Sequence, residues 1–263
     1  MDCLQLNSSS HYSLDLLWKA AALSNGKYLF LLTLKEMRME LIFILVEPAV
    51  PENIGAAARA LKTMGFDQLR LVNTRQHKAD QAQWLAHGST DILDKARVFD
   101  SLEQALEDVD FSLGTTAKYR SVKFDYYTPE EALQLSLQKG DSIHKVGIVF
   151  GREDSGLTNS ELQRCDLAVT IPIKTSYPSL NLAQAVMLMA YVFADFQPGS
   201  KSESLQPSDF DLLKTKAAHF LNKAGIGKEE NLYGRIMERL ASANKTDTHL
   251  LLSFMNKLEK KLG

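Results

Sequence analysis

Leu41-Ile-Phe-Ile-Leu-Val46, then Glu47-Pro48, then Asn53-Ile-Gly-Ala-Ala-Ala-Arg59 is the stretch whose reading decides the fold. Six consecutive apolar residues show no polar alternation. A strand made of them must be covered on both faces, as in a parallel sheet. Residues 54–64 follow with helical spacing, and Gly65 is their C-terminal stop. Working outward, residues 69–72, 111–114, 146–150 and 167–171 read as further strands. Helical stretches lie at about 78–86 and 101–108, and a long apolar helix covers 180–196. This alternation predicts an α/β fold: a mainly parallel sheet with helices on both faces.

The ends differ from this middle. Residues 1–38 carry Ser8, Ser9, Ser10 and His11 and only weak periodicity. They are expected to be an N-terminal extension, with the natural start at Met37 or Met39; a short accessory helix is the alternative. Residues 39–197 form the α/β domain. Gln197-Pro-Gly-Ser-Lys-Ser-Glu-Ser204 is a linker by composition, so 198–207 is a connection. Residues 208–263 form a helical extension, with amphipathic stretches at about 208–224, 229–242 and 246–261.

With 263 residues, 45% of them hydrophobic, the chain can bury a sizeable core. The formal net charge is −2, so a generic basic nucleic-acid binder is excluded and any such contact must use local patches. Residues 204–263 hold ten Lys/Arg against seven Asp/Glu, a balance of +3, which leaves −5 for the rest. That asymmetry points to a nucleic-acid-facing tail or a solvated helical cap. Two cysteines, Cys3 and Cys165, form no disulfide framework or zinc pattern, which fits a reducing cytoplasm. The apolar runs at 28–34 and 41–46 are too short to span a membrane, and no signal peptide is expected.

No glycine-rich phosphate loop, HExxH or GxSxG pattern occurs. Three other clusters stand out. In Asn53-Ile-Gly-Ala-Ala-Ala-Arg59, Gly55 and Arg59 share a helix face, so the glycine would leave the arginine open to a phosphate or ribose; the bland reading is a surface arginine. Val149-Phe-Gly-Arg-Glu-Asp-Ser-Gly-Leu157 sits at the carboxyl end of a buried strand, where α/β folds place ligands. There Arg152 and Glu153 either pair with each other or face RNA and a loop. In Tyr177-Pro-Ser-Leu-Asn-Leu-Ala-Gln-Ala185, Ser179 and Asn181 open the long helix, as a ligand-facing polar group or as simple capping by Ser179.

In this order, Asn-x-Gly-x-x-x-Arg, Phe-Gly-x-Glu-x-x-Gly-Leu and Ser-Leu-Asn resemble the three motifs of the SPOUT superfamily, SpoU (TrmH) branch. The similarity covers about residues 39–196. Arg59-Ala-Leu-Lys-Thr-Met-Gly65 and Gly156-Leu-Thr-Asn159 resemble the TrmJ-like subgroup, which methylates the ribose at tRNA position 32. Phe150-Gly-Arg-Glu-Asp-Ser-Gly-Leu-Thr-Asn159 and Tyr177-Pro-Ser-Leu-Asn-Leu182 are similar to the LasT-type relatives, as is the helical tail.

The resemblance implies a sheet whose C-terminal part is threaded as a deep trefoil knot, which no periodicity could show. It implies an S-adenosylmethionine-dependent 2′-O-ribose methyltransferase acting on tRNA or rRNA. The cofactor positions would be Thr115, Thr116, Ala117, Gly151, Ile171, Pro178, Ser179 and Leu180, largely through main-chain groups. The family is a homodimer, with Arg59 facing the partner subunit's cofactor. Family models have Arg59 activate the 2′-hydroxyl. A guanidinium keeps its proton, so phosphate binding or stabilisation of the developing alkoxide is physically easier. Ser179 and Asn181 would orient the ribose and its neighbours, and Asn53 would support the Arg59 loop. No metal is needed, because the sulfonium supplies the electrophile. RNA contacts are expected at Arg59, Lys118, Arg120, Arg152, Arg235 and Arg239. The rival readings are a base methyltransferase of the same superfamily, a non-catalytic RNA-binding protein, and a small-molecule methyltransferase.

Overall fold

The computed structural model describes residues 39–174, 180–194 and 207–262. The expectations for residues 1–38 and for the linker at 198–206 lie outside them. The described residues belong to one compact unit.

Seven strands make one sheet: β1 (Glu40–Val46), β2 (Leu69–Val72), β3 (Arg97–Phe99), β4 (Phe111–Thr115), β5 (Tyr126–Tyr127), β6 (Lys145–Phe150) and β7 (Leu167–Val169). Their order is β3-β2-β1-β6-β4-β7-β5, and every pairing is parallel. β1 lies in the interior of the sheet, between β2 and β6, and the residues of its apolar run are buried. Ile42, Ile44 and Val46 join one core with Leu102, Ala105 and Leu162. Phe43 points the other way, onto the rings of Phe66 and Phe150 at 5.2 and 6.3 Å. Both faces are therefore covered, as the unbroken run requires.

The helices are α1 (Pro51–Thr63), α2 (Asp80–Ala86), α3 (Thr90–Lys95), α4 (Leu102–Leu106), α5 (Pro129–Lys139), α6 (Asn159–Arg164), α7 (Leu182–Val192), α8 (Asp209–Lys223), α9 (Asn231–Ala241) and α10 (Lys245–Leu262). Strands β3 and β5 were not expected, because three and two residues carry no readable period. Helices α3, α5 and α6 were not expected either. Yet α5 carries a full start signal, Thr128 and Glu131 in a capping box with Pro129 in the first turn.

Gly55 corrects a second expectation. It does not uncover Arg59; it is buried in α1, and a Cβ there would stand 2.1 Å from the Ala82 carbonyl oxygen of α2. Glycine is required because two helix backbones touch. Arg59, one turn further along the same helix, is exposed all the same.

The C-terminal helices close on the sheet. Phe210 of α8 meets Phe111 of β4 edge-on at 5.6 Å. Lys139, wholly buried at the end of α5, donates to the Ala243 carbonyl at 2.9 Å, with its ammonium 3.8 Å from the Phe210 ring centre. Burial pushes this ammonium down to about 7, while Asp166 pulls the other way.

Candidate active site

The carboxyl ends of β4, β6 and β7 open into a crevice of about 360 Å³. Thr115, Thr116, Ala117, Gly151, Ile171 and Leu180 all line it, as expected of the cofactor positions. Pro178 and Ser179 lie outside the described residues. One wall is apolar, made by Phe150, Val169, Ile171, Ile173, Leu180 and Leu182. The 151–156 loop lines it as well. Gly151 is needed there because a Cβ would stand 2.1 Å from the Gly156 carbonyl carbon, across the Arg152–Gly156 bridge.

Arg152 and Glu153 do not pair with each other. Arg152 donates from Nε to Glu47 at 2.7 Å and from its two terminal nitrogens to Glu161 at 3.0 and 3.1 Å. Those carboxylates, Glu161 first, hold its proton more firmly than usual. Its donors are thus taken up by the fold, which speaks against the expected RNA contact. Glu47, at the exit of β1, has a left-handed backbone (φ 47°), and Asn73 also donates to it at 3.0 Å. Arg152 keeps the Glu47 carboxyl below its ordinary range, with help from Asn73. Burial alone would raise Glu161, but Arg152 and the Thr158 amide hold it low. Glu47, Asn73 and Glu161 were missed by sequence reasoning; the one available signal was Glu161 three residues after Thr158, a capping box.

Glu153 accepts from the Ala49 and Val50 amides at 2.9 and 3.2 Å and from Asn53 Nδ2 at 2.9 Å. It satisfies amides at the start of α1, where Val50 has no side-chain cap. Asn53 Oδ1 in turn accepts from Asn181 Nδ2 at 2.7 Å. Asn181, not Ser179, is the N-cap of α7: its Oδ1 accepts from the Ala183 amide at 2.9 Å, and Gln184 completes a capping box. Residues from all three sequence clusters thus form one hydrogen-bonded chain, Glu153–Asn53–Asn181, beside the crevice.

Asn53 sits in the first turn of α1, tied to Glu153 and Asn181; Arg59 lies further along the helix, not in a loop. The Arg59 side chain is exposed, has no partner among the described residues, and does not line the crevice of its own chain. Lys118 and Arg120 reach the crevice edge. Arg120 donates to the Ser155 carbonyl at 3.1 Å and to Asn159 at 3.3 Å, bridging two loops. Arg235 and Arg239 are exposed on α9, Arg235 over the Phe124 ring and Arg239 3.3 Å from Asp125. No helix among the described residues is long and apolar enough to cross a membrane.

Comparison with known proteins agrees with this arrangement. Residues 40–191 match the SpoU rRNA Methylase family, and residues 207–262 match the C-terminal domain of the tRNA/rRNA methyltransferase LasT. The LasT protein of Escherichia coli K12, named an uncharacterized tRNA/rRNA methyltransferase, is 40% identical over 85% of this chain and 99% of its own. The tRNA (cytidine/uridine/adenosine-2′-O-)-methyltransferase TrmJ of Pseudomonas aeruginosa is 45% identical over 56% of this chain and 58% of its own. The crystal structure of TrmJ from Z. mobilis is 32% identical and superposes with a TM-score of 0.60, covering 83% of this chain and 98% of that one. With more than half its length matched to the family model and a LasT relative covered end to end, the chain belongs to the SpoU methylase family, in its TrmJ/LasT-like group.

Proposed function

We propose that the protein transfers a methyl group from S-adenosylmethionine to a ribose 2′-hydroxyl of tRNA or rRNA, in the cytoplasm and as a homodimer. The observation that carries this reading is the chain Glu153–Asn53–Asn181, which joins the start of α1, the crevice loop and the start of α7 beside one crevice. The crevice suits the cofactor. Its apolar wall fits a flat adenine, its volume lies in the range of small-molecule sites, and Gly151 leaves room at the loop backbone. Bound S-adenosylmethionine supplies an electrophilic methyl group, and no metal is invoked.

The protein's own residues do the positioning. Thr115, Thr116, Ala117, Gly151, Ile171 and Leu180, with Pro178 and Ser179, hold the cofactor. Arg59 is absent from its own crevice, so its role requires a second copy. Helix α7 packs on α1 and leaves Leu188 and Tyr191 41% and 68% exposed, an apolar face for that copy. Across the interface Arg59 holds a phosphate or steadies the alkoxide as the 2′-hydroxyl loses its proton. Asn181 has one amide hydrogen beyond its bond to Asn53, and with Ser179 it orients the ribose. The stretch from β6 to α7 threads the family's trefoil knot. Residues 39–197 are the methyltransferase body, and 208–263 are the arm that meets RNA.

The test is methyl transfer from labelled S-adenosylmethionine to total tRNA and rRNA from a strain lacking the gene, read by nucleoside mass spectrometry. A 2′-O-methylated nucleoside is expected, and anticodon-loop position 32 is the first to inspect. Label on a base only moves the reading to base methylation; no label in any RNA overturns it.

A further inference from the structure

A second concavity of about 700 Å³ adjoins the crevice, on the far side of Arg120, which lines both. Tyr119, Phe124, Tyr126 and Arg239 line it as well, so it spans the loop after β4 and helix α9. Tyr119 is 79% exposed and Phe124 44%. Single exposed rings need no explanation, but two in one groove among cations do.

The rings are held firmly. The Tyr126 hydroxyl accepts from the Arg120 amide at 2.5 Å and donates to the Arg120 carbonyl at 2.7 Å, and Tyr119 rests edge-on against Tyr126 at 4.7 Å. The Phe124 amide donates to the buried carboxylate of Glu238 at 3.1 Å. Buried Lys123 donates to the Cys165 carbonyl at 2.6 Å and lies 3.7 Å from Glu238. The platform is thus pre-formed, so little entropy is lost when something stacks on it.

The charges choose the occupant. Arg120 donates only to neutral acceptors, Arg235 lies 5.1 Å over the Phe124 ring, and Lys118 has no carboxylate partner among the described residues. Of the acids in the groove, Asp125 is paired with Arg239 and Glu131 is held in the cap of α5. Open ring faces beside uncompensated cations match an unpaired nucleotide, which brings a flat base and a phosphate together.

We propose that this groove binds an unpaired RNA nucleotide flanking the methylated one, its base stacked on Tyr119 and its phosphate near Arg120. The proposal rests on the RNA-methylating reading of the crevice. The experiment compares wild type, Tyr119→Ala and Tyr119→Phe. It measures affinity for total tRNA, methyl transfer to it, affinity for S-adenosylmethionine, and quenching of a short single-stranded RNA carrying 2-aminopurine. Tyr119→Ala is expected to weaken tRNA binding roughly 5- to 100-fold and abolish the quench. Tyr119→Phe should stay within about twofold, since stacking needs the ring alone, and cofactor affinity should hold in both. If wild type methylates tRNA while Tyr119→Ala binds it equally well, the groove proposal fails and the enzyme reading stands. Equal losses in both variants, or a parallel loss of cofactor affinity, also overturn it. If wild type neither binds nor methylates RNA, the enzyme reading falls and takes the groove with it.

Discussion

The crevice loop and helix α1 each present an arginine in a family motif, and the two are treated oppositely. Arg152 is enclosed by Glu47 and Glu161, with its side chain only 20% exposed. Arg59 stands in water with no partner among the described residues. A charge compensated inside the fold shapes the fold; a charge left uncompensated on a rigid helix is free to act on something else. The rigidity is itself visible, since Gly55 locks α1 against α2 and Glu153 ties down its first turn.

The largest expected effect separates the two arginines. Arg59→Ala should lower methyl transfer on the order of 100-fold or more, while cofactor affinity and the urea midpoint stay near wild type. Methylation at the wild-type rate would remove Arg59 from the site. Arg152→Met should do the reverse. It leaves two half-buried carboxylates facing each other, at a cost of about 2–3 kcal/mol in urea unfolding, and it loosens the crevice rim. A neutral Arg152→Met would mean that the ion pairs contribute nothing. Glu153→Gln keeps the shape but replaces an acceptor oxygen with a donor. It should cost about 1–2 kcal/mol, with methyl transfer falling alongside as the Asn53–Asn181 link slackens; unchanged stability would sink the capping argument.

The smallest effect is a pH dependence. Glu47 and Glu161 both titrate below their ordinary range, so their contribution is present above that range and is lost as the pH falls through it. Acidification below about pH 4.5 should therefore narrow the stability gap between wild type and Arg152→Met. A gap that stays constant to low pH would assign the stabilisation to packing instead.

Much of this was legible in the sequence, for identifiable reasons. The run at 41–46 required burial on both faces, and an interior strand of a parallel sheet is where it stands. The crevice positions at Thr115, Gly151 and Ile171 came from the family resemblance, and their place at carboxyl ends of strands gave it independent sense. Roles of side chains were harder. Arg152 could not be told from a ligand-facing arginine, because its partner Glu47 lies 105 positions away in the chain. Gly55 offered the same ambiguity, resolved only by the Ala82 backbone beside it. The apolar pattern offers Ser179 as one candidate cap, but the N-cap of α7 is Asn181, because α7 starts later than that pattern does. Removing residues 204–263 is not a clean test of the tail. Phe210 and Ala243 are part of what covers Phe111 and Lys139.

That last contact bears on inheritance. The chain matches two family models in separate stretches, 40–191 and 207–262, as though two modules had been strung together. Lys139 contradicts that picture of free parts. Its ammonium has one carbonyl acceptor and two ring faces, and Ala243 and Phe210 belong to the second stretch. Chimeras that join the body of one relative to the helices of another will succeed or fail on whether Phe111, Lys139 and Phe210 travel as a set.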